Sequence, residues 1–152
     1  MDIYTLIRQD HDDVRIIIEQ ISLIPDSRHH ERVMAFKFLR SGINAHSEAE
    51  EASFYAALAV HDGMEDIIAN AKREHDLVEA LMTELEEEKM TPTAWRTKFT
   101  EFQRAMFQHI RDEENIIFSM ARDIFTTQNA VDLAGIMQNL KHMKHSLLRK
   151  AG

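Results

Sequence analysis

The sequence contains no cysteine, which limits both how the chain is stabilised and how it could bind a metal. Without thiols there is no disulfide framework and no thiolate ligand, so any metal must be held by nitrogen and oxygen atoms. Only 4 glycines and 2 prolines occur in 152 residues, and long stretches have no turn signal. This scarcity of helix breakers is typical of an all-α protein.

Long hydrophobic runs and targeting signals are also missing. No apolar run approaches the roughly 20 residues that a helix needs to cross a bilayer. The N-terminal residues Met1-Asp2-Ile3-Tyr4 lack the basic region and the apolar core of a secretion signal. We therefore expect a cytoplasmic protein without a membrane partner.

Positive charge is scarce relative to negative charge, with a formal net charge of -8 at pH 7. An acidic chain is poorly suited to bind nucleic-acid backbones or anionic membranes, so neither is expected as a main partner. With 44% hydrophobic residues, a chain of this length suits one domain with its own core, which we place at residues 1–152.

Apolar residues recur at alternating spacings of three and four, the periodicity of helices in a bundle. The pattern predicts four helices at about 3–24, 30–60, 64–89 and 92–125, and a fifth helix at about 129–149. Turn signals separate the first four: Pro25-Asp26-Ser27, His61-Asp62-Gly63 and Thr91-Pro92. Because short connections join neighbouring helices, we expect an antiparallel up-down four-helix bundle over about 3–125 with an additional C-terminal helix.

Six polar residues occupy core positions of these four helices. They are His11 on the first helix, His46 and Glu50 on the second, His75 on the third, and His109 and Glu113 on the fourth. A spacing of four residues puts the histidine and the glutamate of each pair on one helix face. With a rise of about 1.5 Å per residue, all six side chains lie at a similar height in the bundle.

A carboxylate in an apolar core needs a partner, because its burial alone is costly. A lysine or arginine from a neighbouring helix would serve, but none stands on the core stripes of the predicted helices. The pattern therefore favours a dinuclear metal site inside the bundle. Two alternatives stay open: each histidine is an ordinary hydrogen-bonded core residue, or the polar layer is a metal-free hydrogen-bonded network.

Other acidic residues and histidines fall outside the core stripes. Glu79 follows His75 by four residues, but Val78 already takes the core position, so Glu79 is a flanking residue and a possible ligand only. His61 and Glu65 have the same spacing across Gly63, which indicates a coincidence in a loop. We expect solvated positions for the remaining ones: Glu48, Glu51, the run Glu86-Glu87-Glu88, His142 and His145.

Four imidazoles and two carboxylates can bind two first-row metal ions, with Glu50 and Glu113 each bridging both. A shared oxo or hydroxo group would complete the centre and leave one position on each ion for a small molecule. Mixed imidazole and carboxylate ligands suit iron, and less often manganese or zinc. Such a pair of iron ions in a dry core can pass electrons to O₂, peroxide or NO.

The order His11, His46-x-x-x-Glu50, His75, His109-x-x-x-Glu113 resembles the hemerythrin family, also called the HHE cation-binding domain. The resemblance covers about residues 3–125 and includes the doublets Glu50-Glu51 and Glu113-Glu114. It implies a non-haem diiron centre with the four histidines as terminal ligands and Glu50 and Glu113 as bridges.

The sequence departs from the O₂-carrying hemerythrins, which have a second histidine where this chain has Glu79. It is more similar to bacterial stand-alone hemerythrin-like proteins, which are linked to peroxide decomposition, nitrosative stress and iron homeostasis. Some peroxide-decomposing members have a tyrosine one turn after the glutamate of helix 2. Here that position is Phe54, with Tyr55 beside it, which weakens a transfer of that activity. The alternative function is a non-catalytic module that binds or senses iron or oxygen.

Overall fold

A computed structural model describes residues 1–87 and 89–151, with side chains described up to residue 143. The described residues form seven α-helices, two short π-helical segments and one short 3₁₀-helix (Asp26–Arg28). The helices are α1 (Ile3–Ser22), α2 (His29–Glu50), α3 (Ala56–Ala59), α4 (Glu65–Leu85), α5 (Pro92–Asp112), α6 (Phe118–Ile124) and α7 (Thr127–Ala151). The first π segment is Glu51–Tyr55 and the second π segment is Glu113–Ile117. The predicted all-α bundle with an additional C-terminal helix is confirmed.

Local sequence explains where the helices begin. Asp2 caps α1, because its side chain accepts a hydrogen bond from the backbone N–H of Thr5 at 2.9 Å. Thr91 caps α5 in the same way, at 3.2 Å from the N–H of Ala94, and Pro92 takes the first helical position as expected. Gly63 lies in the turn before α4 with a φ of 83°, a conformation that favours glycine.

Each of the two longest predicted helices is interrupted. The second predicted helix is α2, the first π segment and α3, and the fourth is α5, the second π segment and α6. π segments inside α-helices frequently mark functional sites. The first π segment begins directly after Glu50, and the second begins at Glu113; both glutamates are predicted ligands.

Two apolar clusters fill the bundle, one on each side of the polar layer. The first cluster includes Ile7, Phe54, Leu58 and Phe118. The second cluster includes Ile18, Phe36, Trp95 and Phe102. Helix α7 packs against α1, α2 and the first π segment, and its Leu133 and Met137 belong to the first cluster. None of the helices in the described residues combines the length and the apolar character of a bilayer-spanning segment.

Two charged groups differ from their predicted surroundings. Arg32 is fully buried on α2, where its guanidinium lies 4.7 Å from the Trp95 ring and binds Asp26 at 2.8 Å. Glu86 is not simply solvated, because Arg40 binds it at 2.7 Å. Glu88 lies outside the described residues, and so does the side chain of His145, whereas His142 is exposed as expected.

Candidate metal centre

The six predicted ligands meet between the two apolar clusters. Helix α1 supplies His11, α4 supplies His75, and α2 and α5 supply a histidine one turn before a glutamate. The two carboxylates are 0% exposed, and all four imidazoles are buried. The structure thus brings the six predicted ligands together, without the possible ligand Glu79, and their binding of metal stays a prediction.

The ligand atoms fall into two groups that share a carboxylate. His11, His46, Glu50 and Glu113 form one group, and Glu50, His75 and His109 form the other, with the ligand atoms of each within 4.8 Å of one another. Glu50 spans the two groups, since its oxygens lie 3.4 Å from His46 Nε2 and 3.3 Å from His75 Nε2. Glu113 is 3.1 Å from His11 Nε2 through one oxygen and 3.9 Å from His109 Nε2 through the other.

Several inner atoms of this centre are buried polar groups without a hydrogen-bond partner among the described residues. They are His11 Nε2, His46 Nε2, both oxygens of Glu50 and Glu113 Oε1. Buried polar atoms are normally satisfied, because leaving them unpaired costs free energy. Atoms that are unpaired, mutually close and of metal-ligand type fit a centre that is completed by cations.

A second ring of carboxylates surrounds the imidazoles on their outer nitrogen atoms. His46 Nδ1 lies 2.6 Å from Asp10 Oδ2, and His75 Nδ1 lies 2.9 Å from Glu51 Oε2. His11 Nδ1 lies 2.7 Å from Glu114 Oε2. His109 Nδ1 faces Glu74 Oε1 at the longer distance of 3.8 Å. A carboxylate on the outer nitrogen fixes the orientation and tautomer of a metal-ligating histidine and raises its basicity.

This outer ring is closed around the bundle, because each helix supports the histidine of the next. Acidic residues on α1, the first π segment, α4 and the second π segment support histidines on α2, α4, α5 and α1 in turn. The interpretation of Glu51 as solvated is therefore wrong: it faces His75. The sequence did contain a signal, since every outer carboxylate is adjacent to a predicted ligand, as in Asp10-His11 and Glu74-His75.

The histidines and carboxylates of the centre shift one another's pKa values. Burial lowers the pKa of His46, but Glu50 and Asp10 outweigh it and raise the pKa to about 10. Burial also opposes the charge of His75, yet Glu50 and Glu51 raise its pKa to about 9. Burial raises the pKa of Glu50, whereas His46 and His75 outweigh it and hold that pKa well below its usual range. Without a metal, protons on His46 and His75 supply the positive charge that the buried Glu50 carboxylate needs.

The first π segment determines which aromatic side chain reaches the centre. In a regular α-helix the residue four after Glu50, Phe54, would lie one turn above it. A π turn contains one more residue, so Tyr55 takes that direction. The Tyr55 hydroxyl donates a hydrogen bond to Glu113 Oε2, and its ring stacks on His75 with centroids 5.4 Å apart. The sequence argument that placed Phe54 here is wrong by one residue, because it assumed unbroken helix geometry.

Glu79 belongs to neither ligand group. Its carboxylate binds the Arg40 guanidinium from α2, and Thr83 Oγ1 contacts the same guanidinium at 2.9 Å. His61, the other excluded candidate, is exposed in the turn before α4 and packs edge-on to Phe125 with ring centroids 6.0 Å apart.

The centre has approximate two-fold character. The hairpin of α1 and α2 and the hairpin of α4 and α5 each carry an acid–histidine pair on the first helix. Each then carries His-x-x-x-Glu-Glu, which begins on the second helix and runs into a π segment. At the position of Tyr55, five residues after the inner glutamate, the second hairpin has Phe118.

Comparison with known proteins identifies one family. The family model described as the hemerythrin HHE cation binding domain matches residues 2–121, which is most of the chain and contains all six predicted ligands. The match ends before α7 begins. No curated protein and no solved structure matches the chain.

Proposed function

Since the chain belongs to the hemerythrin HHE cation-binding family, we propose that it is a non-haem diiron protein that binds or reduces a small oxidant such as O₂, peroxide or NO. The observation that supports this most strongly is the double shell of the centre. Four buried imidazoles face two fully buried carboxylates, and outer carboxylates lie against the other side of the imidazoles. That donor set has no thiolate and suits iron, with manganese or zinc as less favoured metals.

The residues of this chain would have different roles in such a centre. His11, His46, His75 and His109 would bind the two ions as terminal ligands, and Glu50 and Glu113 would bridge them. When bound, the iron pair supplies the electrons for the reduction of the oxidant. The two apolar clusters exclude bulk water from the site, and the outer carboxylates keep each imidazole in its binding orientation.

Tyr55 favours redox turnover over simple storage. Tyr55 is one of two tyrosines in the chain, and its hydroxyl donates a hydrogen bond to Glu113 Oε2 in the centre. Burial, followed by the charges of Glu113 and Glu50, raises the pKa of Tyr55 well above its usual range, so the phenol stays protonated at neutral pH and acts as a hydrogen-bond donor. A buried hydrogen-bond donor beside the site can orient and polarise a bound peroxide, a role that an iron store does not need. We propose a role in oxidative or nitrosative stress or in iron homeostasis on this basis.

The test begins with metal analysis and an absorption spectrum of the purified protein in air. We expect two iron ions per chain and an oxo-bridged diferric band. Peroxide-driven release of O₂ by the iron-loaded protein then separates a catalytic protein from a binding or sensing module, which would hold the iron without turnover. A protein that contains no metal after expression in iron-rich medium would favour the hydrogen-bonded network instead.

Replacement of Tyr55 tests its assigned role. Tyr55→Phe should keep both iron ions and lower the rate of peroxide decomposition by about tenfold or more, because the hydrogen-bond donor is gone. Tyr4→Phe is the matched control, since Tyr4 lies in the same apolar cluster and its buried hydroxyl has no partner among the described residues. Equal rates in the two variants would contradict the role of Tyr55 as a hydrogen-bond donor.

A further inference from the structure

The two ligand groups differ in how many protein ligands they offer. The group around His11 and His46 has four residues, whereas the group around His75 and His109 has three. Glu113 belongs only to the first group. Its Oε1 lies 3.1 Å from His11 Nε2, whereas its Oε2 lies 3.9 Å from His109 Nε2 and also accepts the Tyr55 hydrogen bond, so as a bridge Glu113 would bind the His75–His109 side more weakly. The His75–His109 side therefore has more capacity for an exogenous ligand.

A groove of about 280 Å³ opens onto that same side, between α2, α4 and α5. We call it the α2–α4 groove. The groove reaches two predicted ligands, His75 and His109. The rest of its lining is mixed: four residues are apolar, two are neutral and polar, and four are acidic, namely Ile43, Val78, Met82, Met106, Asn44, Ser47, Glu48, Glu51, Asp76 and Glu79. A groove of this volume that ends at two imidazoles suits a small molecule such as a diatomic.

Two other grooves in the described part of the chain do not offer an equivalent approach. The groove related to it by the two-fold character of the centre is lined by Arg15, Glu19, Ser22, Gln103, Phe107 and Arg111, and none of these is a predicted ligand. A third groove, between α1 and α2, reaches His46 alone. There Lys141 binds Asp10 at 2.6 Å, and Asp10 covers the outer nitrogen of that imidazole.

An ion-pair cluster lies at the rim of the α2–α4 groove. Arg40 binds Glu79 at 2.5 Å and Glu86 at 2.7 Å. Glu79 lines the groove one turn after His75, and its second oxygen is buried without a hydrogen-bond partner in the described part of the chain. A carboxylate tethered this close would compete with any small molecule for the metal position beside His75, because tethering raises its effective concentration.

We propose that the exogenous ligand binds through the α2–α4 groove on the His75–His109 side, and that Arg40 keeps this position open by binding Glu79 at the rim. Arg40 is thus a positioning residue that determines whether a small molecule or the protein's own carboxylate occupies the site. The proposal rests on the proposed function, since it requires a metal centre. It adds to that function the groove through which the exogenous ligand enters and the ion pair that controls its binding.

Azide, a small anion that binds open iron positions, is the probe for the first test. Absorption titration of the iron-loaded Arg40→Met variant should show an azide affinity at least about tenfold weaker than that of the unmodified protein, because Glu79 then competes for the position. The double variant Arg40→Met/Glu79→Gln should recover the original affinity to within about twofold. Arg40→Lys is the matched control, since it keeps the cation that binds Glu79.

The double variant separates competition by Glu79 from attraction by the charge of Arg40. If it binds azide as weakly as Arg40→Met, or if Arg40→Met binds like the unmodified protein, the role of Arg40 is wrong. Metal analysis accompanies each titration. An unmodified protein without two bound iron ions would overturn the proposed function itself, whereas two ions with an unchanged azide affinity in Arg40→Met would overturn only this inference.

The side of entry has a separate kinetic test. Ser47 lines the α2–α4 groove and Ser41 lines the groove between α1 and α2, so the same substitution can be made in both. Ser47→Trp should slow azide association in stopped-flow measurements by about tenfold, and Ser41→Trp should leave it within about twofold. Slowing by Ser41→Trp alone would move the entry to the other groove and overturn the proposal.

Discussion

The imidazole of His46 lies between two carboxylates, with Asp10 on its outer nitrogen and Glu50 on its inner nitrogen. His75 has the same arrangement between Glu51 and Glu50. At the residue scale, the two acids fix the rotamer of each of these histidines. The inner nitrogen therefore already points into the centre before a metal binds. Removal of the outer acid should therefore weaken metal binding although no ligand is lost.

Replacement of Glu51 tests this expectation. Glu51→Ala should lower the metal affinity by about 10- to 100-fold, the effect of losing the partner of a ligating histidine. Competition with a chelator of known affinity measures it. Asp76→Ala is the matched control. Asp76 is an exposed acid that lines the α2–α4 groove together with Glu51, but it makes no contact with an imidazole among the described residues. Equal affinities in both variants would contradict a positioning role for Glu51.

Metal uptake should also release protons. Without metal, the pKa of His46 is about 10 and that of His75 about 9, so both imidazoles are protonated at pH 7. Metal ligation requires neutral imidazoles, so binding should displace one proton from each, and the affinity should rise as the pH is raised from 7 towards 9. An indicator dye in weak buffer measures the release during anaerobic addition of ferrous ion.

A matched control separates the buried imidazoles from exposed ones. His142→Gln should release as many protons as the unmodified protein, because His142 is exposed and belongs to neither ligand group. Metal binding without proton release, or with a pH-independent affinity, would show that the buried imidazoles are neutral in the metal-free protein.

At the scale of helices, the regular features were predictable and the irregular ones were not. Alternating spacings of three and four identified the helices and placed His46 and Glu50 on one buried face, because both follow from α-helix geometry. The same geometry placed Phe54 where the first π segment presents Tyr55. The outer ring was missed for another reason. The position of Glu51 next to Glu50 is visible in the sequence, but its partner His75 lies on another helix, and the pattern of a single helix does not identify such a pair.

Helix α7 lies outside the residues matched by the family model, yet it is part of the core. Met137 is 0% exposed in the first cluster, whereas Met143 on the same helix is 62% exposed. Met137→Ala should lower the free energy of unfolding by about 2–5 kcal/mol, because a buried side chain is replaced by a cavity. Met143→Ala should change it by less than about 0.5 kcal/mol.

Chemical denaturation of the two methionine variants measures this difference, and the metal content of both should be unchanged. Similar unfolding free energies would mean that α7 is only loosely docked. A loss of metal in Met137→Ala would instead indicate that α7 supports the centre directly.

For the whole molecule, the centre is the layer of the bundle in which the helices meet through polar side chains rather than through apolar contacts. The two apolar clusters lie on opposite sides of the polar layer, so the layer itself contributes little hydrophobic stabilisation. A metal ion that binds residues from α1, α2, α4 and α5 stabilises the folded chain alone, since the unfolded chain does not assemble the site.

Metal should therefore raise the melting temperature. At a free metal concentration about 100-fold above the dissociation constant, the stabilisation is about 2.7 kcal/mol. For a domain of this size that corresponds to a shift of about 5–10 °C in Tm, which differential scanning calorimetry measures. The double variant Glu50→Gln/Glu113→Gln preserves the shape of both side chains and removes the bridging charges. A shift as large as that of the unmodified protein, or an unchanged metal content, in this variant would refute the bridging assignment.

The repeated hairpin has a consequence for how the centre is assembled. Each hairpin is a half-site, with two imidazoles and one inner carboxylate, and a single hairpin paired with its own copy about a two-fold axis would build the whole arrangement. The turn at residues 60–64 joins the two half-sites, so that one chain supplies all six predicted ligands. The halves differ where Phe118 is the counterpart of Tyr55 and where Arg40 binds Glu79. At these positions the two sides of the centre are chemically distinct.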